Sequence, residues 1–283
     1  MKVHFILLLI ILSSISLTAQ IEKPSLSPTK VSKQKVGLAN VTLKFGQPNK
    51  QGRKIFGCLI PYNKVWRTGA NASTKITTDK EILIANHIIP AGTYALYSIP
   101  NKKKWTIIIH KKNDLWGSAG YANKNDLIRF TVPVKRIRDT QETLNISFEN
   151  FTIDGADLIL TWENTKIIIP VIVNSDAIIQ EQINTKIINS KEVATAQTYF
   201  DAAQYYYLKN KELNTAFKWF NKAEKLRPVA FWYTYYKAEL AKKLGKKSIA
   251  KQSAIKCLNA AKKSKSSDYG YIAKCSLLLK SLN

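Results

Sequence analysis

The 283-residue sequence predicts a two-part protein, an antiparallel β-sandwich of about ten strands followed by an α-helical, tetratricopeptide-like tail. Between residues 36 and 173, short runs of alternating apolar and polar residues are separated by turn residues, which is typical of an all-β sandwich or barrel. From 174 to 283 the spacing of apolar residues changes from two to about 3.6, the period of a helix. We therefore predict a β-sandwich domain over 36–173 and a helical repeat-like domain over 174–283.

The first 19 residues have the pattern of a signal peptide. Lys2 precedes the wholly apolar run 5–12, and Ala19 offers a small residue for cleavage. The run is shorter than the roughly 20 apolar residues that cross a bilayer, and no later stretch reaches that length. An uncleaved amphipathic anchor is the alternative. We expect export, to the periplasm or outside the cell, with no transmembrane segment after signal cleavage.

The formal net charge of +25 is spread over the whole chain. Residues 1–173 contribute +13 and residues 174–283 contribute +12. Only six of the 44 basic residues are arginine, whose planar guanidinium suits phosphate and base recognition. Together with export, this argues against a nucleic-acid partner. The positive charge then indicates either a solvated lysine surface or attraction to acidic partners such as anionic lipid or polysaccharide.

The three cysteines do not make a strong disulfide framework. Cys257 and Cys275 would have to bridge neighbouring helices, whereas three buried thiols, Cys58 included, are the alternative. After signal cleavage only His87 and His110 remain, and neither lies at ligand spacing from a cysteine. No metal site is predicted.

The elements of the first domain follow one another at short intervals. Residues 20–35 are rich in Pro, Ser and Lys and predict a flexible leader. The strand-like runs are 41–45, 54–60, 74–78, 82–84, 88–89, 93–99, 105–110, 127–134, 143–148, 158–162 and 166–173. A loop over 111–125 interrupts them, and long ordered loops in compact domains are often functional.

The tail reads as about six helices. Ser175-Asp176 is expected to cap the first, which carries isoleucines on one face. The expected breaks between later helices are at Asn210-Lys211, Arg227-Pro228, Gly245 and 264–267.

Two units of the tail have the spacing of a helical repeat. The first places large, small and aromatic residues where a tetratricopeptide repeat has them, at Phe200, Ala203, Tyr207, Ala216, Phe220, Ala223 and Pro228. A shift of about 34 residues keeps Gly245 and Ala250, while Ala254 replaces an aromatic residue and the final proline is missing. The first unit resembles a tetratricopeptide repeat, which implies a concave surface for a protein partner. Alternatively, the helices only pack against the sandwich.

The stretch 61–74 is the candidate site, because aromatic residues, an arginine, a glycine and an amide crowd together there. The Arg67 guanidinium suits a carboxylate, a phosphate or a pair of sugar hydroxyls, and Asn71 offers a donor and an acceptor. Trp66, with Trp116 and Tyr121 from the long loop, offers a wall on which a sugar or aromatic ring can stack. The ligand-binding hypothesis therefore comprises these five residues.

A purely architectural interpretation of the same stretch stays open. In it, Trp66 fills the core, Arg67 pairs with a carboxylate such as Asp79 or Asp126, and Asn71 tightens the turn. The two interpretations differ in whether Arg67 faces a cleft or is buried and paired.

Several blocks of the first domain resemble one family. They are Gly52-Arg53-Lys54-Ile55-Phe56-Gly57, Pro61-Tyr62, Val65-Trp66-Arg67-Thr68-Gly69-Ala70-Asn71, Pro90-Ala91-Gly92-Thr93-Tyr94, Trp105-Thr106, Trp116-Gly117 and 158–162. Over about 36–173 the chain is similar to the exported domain-of-unknown-function family numbered 2911, which often carries tetratricopeptide-like helices afterwards. The resemblance implies fold and compartment and adds no catalytic residue. His87 departs from the family pattern, where a small residue is usual.

No constellation of residues indicates catalysis or a cofactor. Ser118 lacks the spacing of a nucleophile elbow, and phosphate-cradling or dinucleotide-binding glycine motifs are missing from the sequence. The sequence favours a binding or scaffold module that recognises a small molecule or glycan over an enzyme. One alternative is a cofactor-free hydrolase of an envelope glycan or ester that uses carboxylates between Asp114 and Asp126. Another is a purely structural envelope protein.

Overall fold

The computed structural model describes residues 23–282, and the predicted signal peptide, 1–19, lies outside them. The strands are β1 (Thr29–Val36), β2 (Ala39–Gly46), β3 (Thr74–Thr78), β4 (Ile82–Ile84), β5 (His87–Ile89), β6 (Gly92–Ile99), β7 (Lys104–His110), β8 (Asp126–Pro133), β9 (Lys135–Glu149) and β10 (Gly155–Ile172). The helices are α1 (Ser175–Ile183), α2 (Ala196–Leu208), α3 (Leu213–Leu226), α4 (Phe231–Lys243), α5 (Lys247–Lys262) and α6 (Tyr271–Lys280). The predicted order of a β part and an α part is confirmed. Within 23–282, no helix has the length and apolar character that spanning a membrane requires.

Two antiparallel sheets form the β part. The larger has the order β1-β2-β3-β6-β7-β8 and the smaller β5-β4-β10-β9. Alternation along each strand decides what faces the core, as in β2, where Val41, Leu43 and Phe45 are buried while Asn40 and Lys44 are exposed. Each such buried side chain contributes about 1.5–3 kcal/mol to folding, so the alternation predicted from sequence is also the main source of stability.

Four large aromatic side chains hold the core together. Phe56, Trp66, Trp105 and Trp162 are all buried, and the ring centroid of Phe56 lies 4.8 Å from that of Trp105 and 6.1 Å from that of Trp162. Trp66 lies 5.9 Å from Trp105 and 6.0 Å from Trp162. Trp105 belongs to the larger sheet and Trp162 to the smaller, so the cluster joins both sheets to the stretch between β2 and β3.

The predicted flexible leader, 20–35, is wrong from Thr29 onward. β1 pairs with β2 along its whole length, from Val36 opposite Ala39 to Thr29 opposite Gly46. As an edge strand it needs few apolar residues, because its backbone hydrogen bonds hold it and lysines protect a free edge from aggregation. Its polar composition therefore concealed a strand.

The predicted strand 54–60 is also wrong. The segment forms tight turns around the buried residues Ile55 and Phe56. Gly57 has a φ of 87°, and a Cβ there would lie 2.4 Å from the ring of Tyr62. The chain turns at this glycine because only a residue without a side chain fits against that ring.

Strand β10 unites the predicted runs 158–162 and 166–173. Its register with β9 shifts on both sides of Glu163, whose φ is 53°. The ends of β10 lie side by side, since the Val173 N–H donates to the Asp154 carbonyl at 2.7 Å. The strand therefore reverses direction near Glu163. β9 begins at Lys135 and not at the predicted 143. Residues 135–142 are mostly polar and show no apolar alternation, so the sequence pattern does not reveal this part of the strand.

The predicted breaks in the tail are confirmed, but the predicted cap is not. Helix α1 begins at Ser175, and no side chain caps it. Instead, the Asp176 carboxylate accepts hydrogen bonds from Lys211 and from the Tyr205 hydroxyl. Lys209 forms an ion pair with Asp154 in the turn between β9 and β10, which ties the tail to the sandwich.

The cysteines are divided between a disulfide and an exposed thiol. Cys257 of α5 is bonded to Cys275 of α6, whereas Cys58 is exposed. The bridge between neighbouring helices that the sequence left open is therefore present, and the alternative of three buried thiols is wrong.

A buried carboxylate connects three helices of the tail. Glu224 of α3 accepts from Lys237 of α4 at 2.8 Å and from Lys256 of α5 at 2.5 Å. Burial by itself raises the pKa of Glu224, but the hydrogen bonds and charges of both lysines outweigh burial and hold that pKa below its ordinary value.

Replacing Glu224 by Gln should destabilise the tail by about 1–3 kcal/mol near neutral pH, because the partly buried Lys237 ammonium loses its counter-charge, whereas Lys256 is exposed to water. The lowered folded-state pKa means that this contribution is complete above the unfolded-state pKa of about 4.3 and is lost as pH falls through the folded-state value. Urea unfolding of both proteins, near neutral pH and in acid, measures the difference. Glu181→Gln, at an exposed position of α1, is the control. Equal stability of Glu224→Gln and the parent at neutral pH would contradict the expectation.

Candidate functional site

The stretch 61–74 precedes β3 and, like β3, is hydrogen-bonded to β6. Trp66 and Ser98 exchange two backbone hydrogen bonds, of 2.7 and 2.9 Å. The hydroxyls of Thr68 and Ser98 lie 2.9 Å apart, and the Thr74 hydroxyl donates to the Thr68 carbonyl at 2.9 Å. Thr68 and Asn71 have φ values of 55° and 63°, so the chain turns sharply twice. These hydrogen bonds hold the stretch 61–74 in tight turns against the sheet, and we call this compact segment the knot.

Trp66 faces the core. Its side chain is only 5% exposed, and its indole N–H donates to the Gly69 carbonyl at 3.0 Å. The structure therefore leaves no face of this indole on which a ligand could stack. This part of the architectural interpretation describes Trp66 correctly.

Arg67 braces the backbone. Its Nη1 donates to the Asn71 carbonyl at 2.6 Å, and the Gly117 N–H donates to the same oxygen at 3.1 Å. The guanidinium lies against Gly117, where a Cβ would be 3.0 Å from Nη1. Arg67 is half-buried and holds the long loop to the knot.

The carboxylates expected beside Arg67 lie elsewhere. Within residues 23–282, Arg67 forms no ion pair. Asp79 accepts hydrogen bonds from the backbone and side chain of Asn40. Asp126 is paired with Arg129. The predicted pairing of Arg67 with either carboxylate is therefore wrong, and a carbonyl oxygen takes its place.

Asn71 and Trp116 meet at one cleft. Trp116 forms an isolated backbone bridge with Ala72, and its side chain is 70% exposed. The side-chain amide of Asn71 donates to the Ser27 carbonyl at 3.1 Å. The two residues line a cleft of about 270 Å³ together with Lys44 and Lys75; this is the tryptophan cleft.

Two lysines that the sequence did not single out face each other in the tryptophan cleft. Lys44 of β2 and Lys75 of β3 are direct register partners on the outer face of the larger sheet. Like charges in such a pair repel. No carboxylate lines the cleft, and neither lysine forms an ion pair within residues 23–282. The lining of the cleft therefore carries positive charge without an acidic partner.

The loop that carries Trp116 lies on the outer face of the larger sheet. Beneath it, Ala95, Tyr97 and Ile108 are buried. The Tyr97 hydroxyl donates to the Gly117 carbonyl at 3.1 Å, and burial raises the pKa of Tyr97. The buried ring of His110 also fastens the loop, with Nδ1 at 2.8 Å from the Lys112 carbonyl and Nε2 at 3.2 Å from the Ala122 carbonyl. The indole is thus held out on an ordered loop.

Tyr121 belongs to a separate network. Its hydroxyl donates to Asp126 at 2.9 Å and accepts from Arg129 at 2.5 Å. Burial, and then the hydrogen bond to Asp126, raise the pKa of Tyr121. Its ring packs against Tyr97 and His110. Tyr121 does not line the tryptophan cleft, so of the five predicted site residues only Asn71 and Trp116 line it.

The carboxylates considered for hydrolysis have different surroundings. Asp126 is held by Arg129 and Tyr121, whereas Asp114 is exposed. Glu142 accepts from the Gln51 N–H at 2.6 Å, far along the chain on β9. Within residues 23–282, no cluster of three or more His, Cys, Asp or Glu side chains is placed to bind a metal ion.

Replacing Arg67 by Ala should lower stability by about 1–3 kcal/mol, because the partly buried Asn71 carbonyl loses its charged donor. It should also accelerate amide hydrogen exchange at Gly117. Arg53→Ala is a matched control, since the Arg53 guanidinium also donates to backbone carbonyls, at 2.6 and 2.9 Å, but in an exposed turn. Exchange mass spectrometry and thermal unfolding measure both effects. Unchanged exchange around 115–118 in a folded Arg67→Ala variant would show that Arg67 does not secure the loop.

Comparison with known proteins yields one match. The family model described as "Protein of unknown function (DUF2911)" matches residues 27–171, which extends the similarity back through β1. No curated protein and no solved structure matches the chain. The match spans more than half of the 283 residues, and the chain belongs to the DUF2911 family.

Proposed function

We propose that this protein is an exported binding module that holds an acidic glycan in the tryptophan cleft. One observation carries the proposal: an indole that is 70% exposed stands beside two directly opposed lysines. Neither feature contributes to stability where it lies, because the indole leaves its surface in water and the lysines repel one another.

The chemistry of the tryptophan cleft matches a sugar ring that bears a carboxylate. A flat indole provides an apolar face for the ring, and its N–H is a donor for a hydroxyl. Asn71 uses its amide N–H toward Ser27, which leaves its side-chain oxygen for a ligand hydroxyl. Lys44 and Lys75 supply positive charge, and the net charge of +25 adds long-range attraction.

The side chains that line the tryptophan cleft also favour binding over hydrolysis. A hydrolase of glycosidic bonds needs two carboxyl groups on either side of the bond. The lining of the tryptophan cleft consists of neutral and basic side chains together with backbone.

We further propose that the tail is a tetratricopeptide-like scaffold for a protein partner. At the repeat-like positions Phe200, Ala203, Ala216, Phe220 and Ala223 are all buried, as paired helices of such a repeat require. In the second unit Ala241, Ala250 and Ala254 are buried, and Gly245 has a φ of 71° between α4 and α5. Export follows from the signal-like first 19 residues.

Titration of the chain without residues 1–19 with polygalacturonate and with neutral dextran tests the glycan proposal. We expect binding of polygalacturonate that weakens as salt rises, because surface charges are screened. Trp116→Ala should weaken it about tenfold, or 1.4 kcal/mol, through loss of stacking. The double variant Lys44→Gln/Lys75→Gln should abolish the preference for the acidic polymer.

Lys191→Gln, which removes one exposed charge from the tail, is the matched control and should bind like the parent. The proposal fails if polygalacturonate does not bind, or if it binds Trp116→Ala and the lysine double variant as it binds Lys191→Gln. The latter result would indicate diffuse attraction to the basic surface.

A further inference from the structure

We propose a second ligand site, for a small ring-shaped organic anion, in a pocket that shares no residue with the tryptophan cleft. The basic pocket contains three cationic residues, Lys54, Lys102 and Arg136, above the aromatic residues Phe56, Tyr62 and Trp105. Its volume of about 270 Å³ is below the range of 300–1,000 Å³ that is usual for drug-sized ligands, so its occupant is small.

Four separate segments of the chain build the basic pocket. Lys54 and Phe56 come from the turns before the knot, Tyr62 lies at the start of the knot, and Lys102 comes from the turn between β6 and β7. Arg136 follows the short passage from β8 to β9, and Thr165 lies just after the reversal in β10. Side chains from both sheets therefore converge at one open end of the sandwich.

The three cations of the basic pocket have no acidic partner in its lining. No carboxylate lines the pocket, and within residues 23–282 none of its three cations forms an ion pair. Glu163 lies nearby, but its oxygens face the backbone N–H groups of Ile55 and Phe56, at 3.4 and 3.5 Å. Arg136 adds a planar fork that can bind a carboxylate or phosphate through two hydrogen bonds.

The floor of the basic pocket is apolar and rigid. Phe56 and Trp105 are at most 4% exposed, and their rings meet edge to face at a centroid distance of 4.8 Å. The Tyr62 ring is fixed against Gly57, where even a Cβ would collide with it. An apolar floor beneath a cationic rim fits an anion that carries a ring better than a bare inorganic ion, because the ring displaces water from the floor.

The turn at the rim of the basic pocket is held by side-chain hydrogen bonds. Asn101, next to Lys102, donates to the Asn63 side chain at 2.7 Å and accepts from the Lys103 N–H. These bonds order the turn that carries Lys102. The aromatic floor and the cationic rim together favour a ligand that has a ring and either a carboxylate or a phosphate monoester. These two anions differ in charge and geometry.

Isothermal titration and ligand-observed NMR with four probes test this inference. Benzoate and phenyl phosphate should bind, whereas benzamide, the neutral analogue of benzoate, and inorganic phosphate, which has no ring, should bind at least tenfold more weakly. A stronger response to benzoate assigns a carboxylate ligand, and a stronger response to phenyl phosphate assigns a phosphate monoester.

The variants Arg136→Gln and Lys102→Gln change exposed side chains and should each weaken binding of the better probe about tenfold. Lys135→Gln and Lys103→Gln remove the exposed neighbouring charges and are matched controls that should bind like the parent. Trp116→Ala should also retain full binding, which separates this site from the tryptophan cleft. The inference is overturned if neither benzoate nor phenyl phosphate binds, if benzamide binds as well as benzoate, or if the control and pocket variants behave alike.

Discussion

The contact among Phe56, Trp66, Trp105 and Trp162 is the constraint on which the rest of the β part depends. Each sheet contributes one tryptophan, and the segment between β2 and β3 contributes the other two rings. Aromatic pairs of this geometry add about 0.5–1.5 kcal/mol each beyond the area that they bury. The cluster explains why so irregular a segment holds one conformation. The buried rings of Phe56 and Trp66 anchor its turns, so the outward-facing atoms of the segment also have fixed positions.

The knot uses its two faces for different purposes. Trp66 points inward to the core, whereas the Asn71 carbonyl, next to the turn, receives donors from Arg67 and Gly117. That shared oxygen fastens the long loop where Trp116 leaves the surface. The architectural and ligand-binding interpretations of the stretch are therefore compatible, because the residues that bind the fold together also position the exposed indole. The position of the Trp116 side chain therefore depends on the packing beneath the loop.

Both proposed sites arise from the same electrostatic feature, which is positive charge without a carboxylate partner. The chain has 44 basic and 19 acidic residues, so positive charge is in large excess. What distinguishes the tryptophan cleft and the basic pocket from the general surface is concavity and an aromatic surface beside the charge. Elsewhere the acidic residues serve structure, as Glu224 does among the helices of the tail and Asp154 does between tail and sandwich.

The sequence by itself determined the features that depend on near neighbours. Strand β3, the breaks between helices and the change of period after Val173 all follow from local propensity and alternation. Tertiary structure alone decided how the polar segments pair. β1 and the residues around the reversal of β10 at Glu163 lie close to their partners in the chain, but they lack the apolar alternation that specifies a strand and its register. The facing of Lys44 with Lys75 depends on the register between β2 and β3, which are separated by the stretch 61–74 and the turns before it.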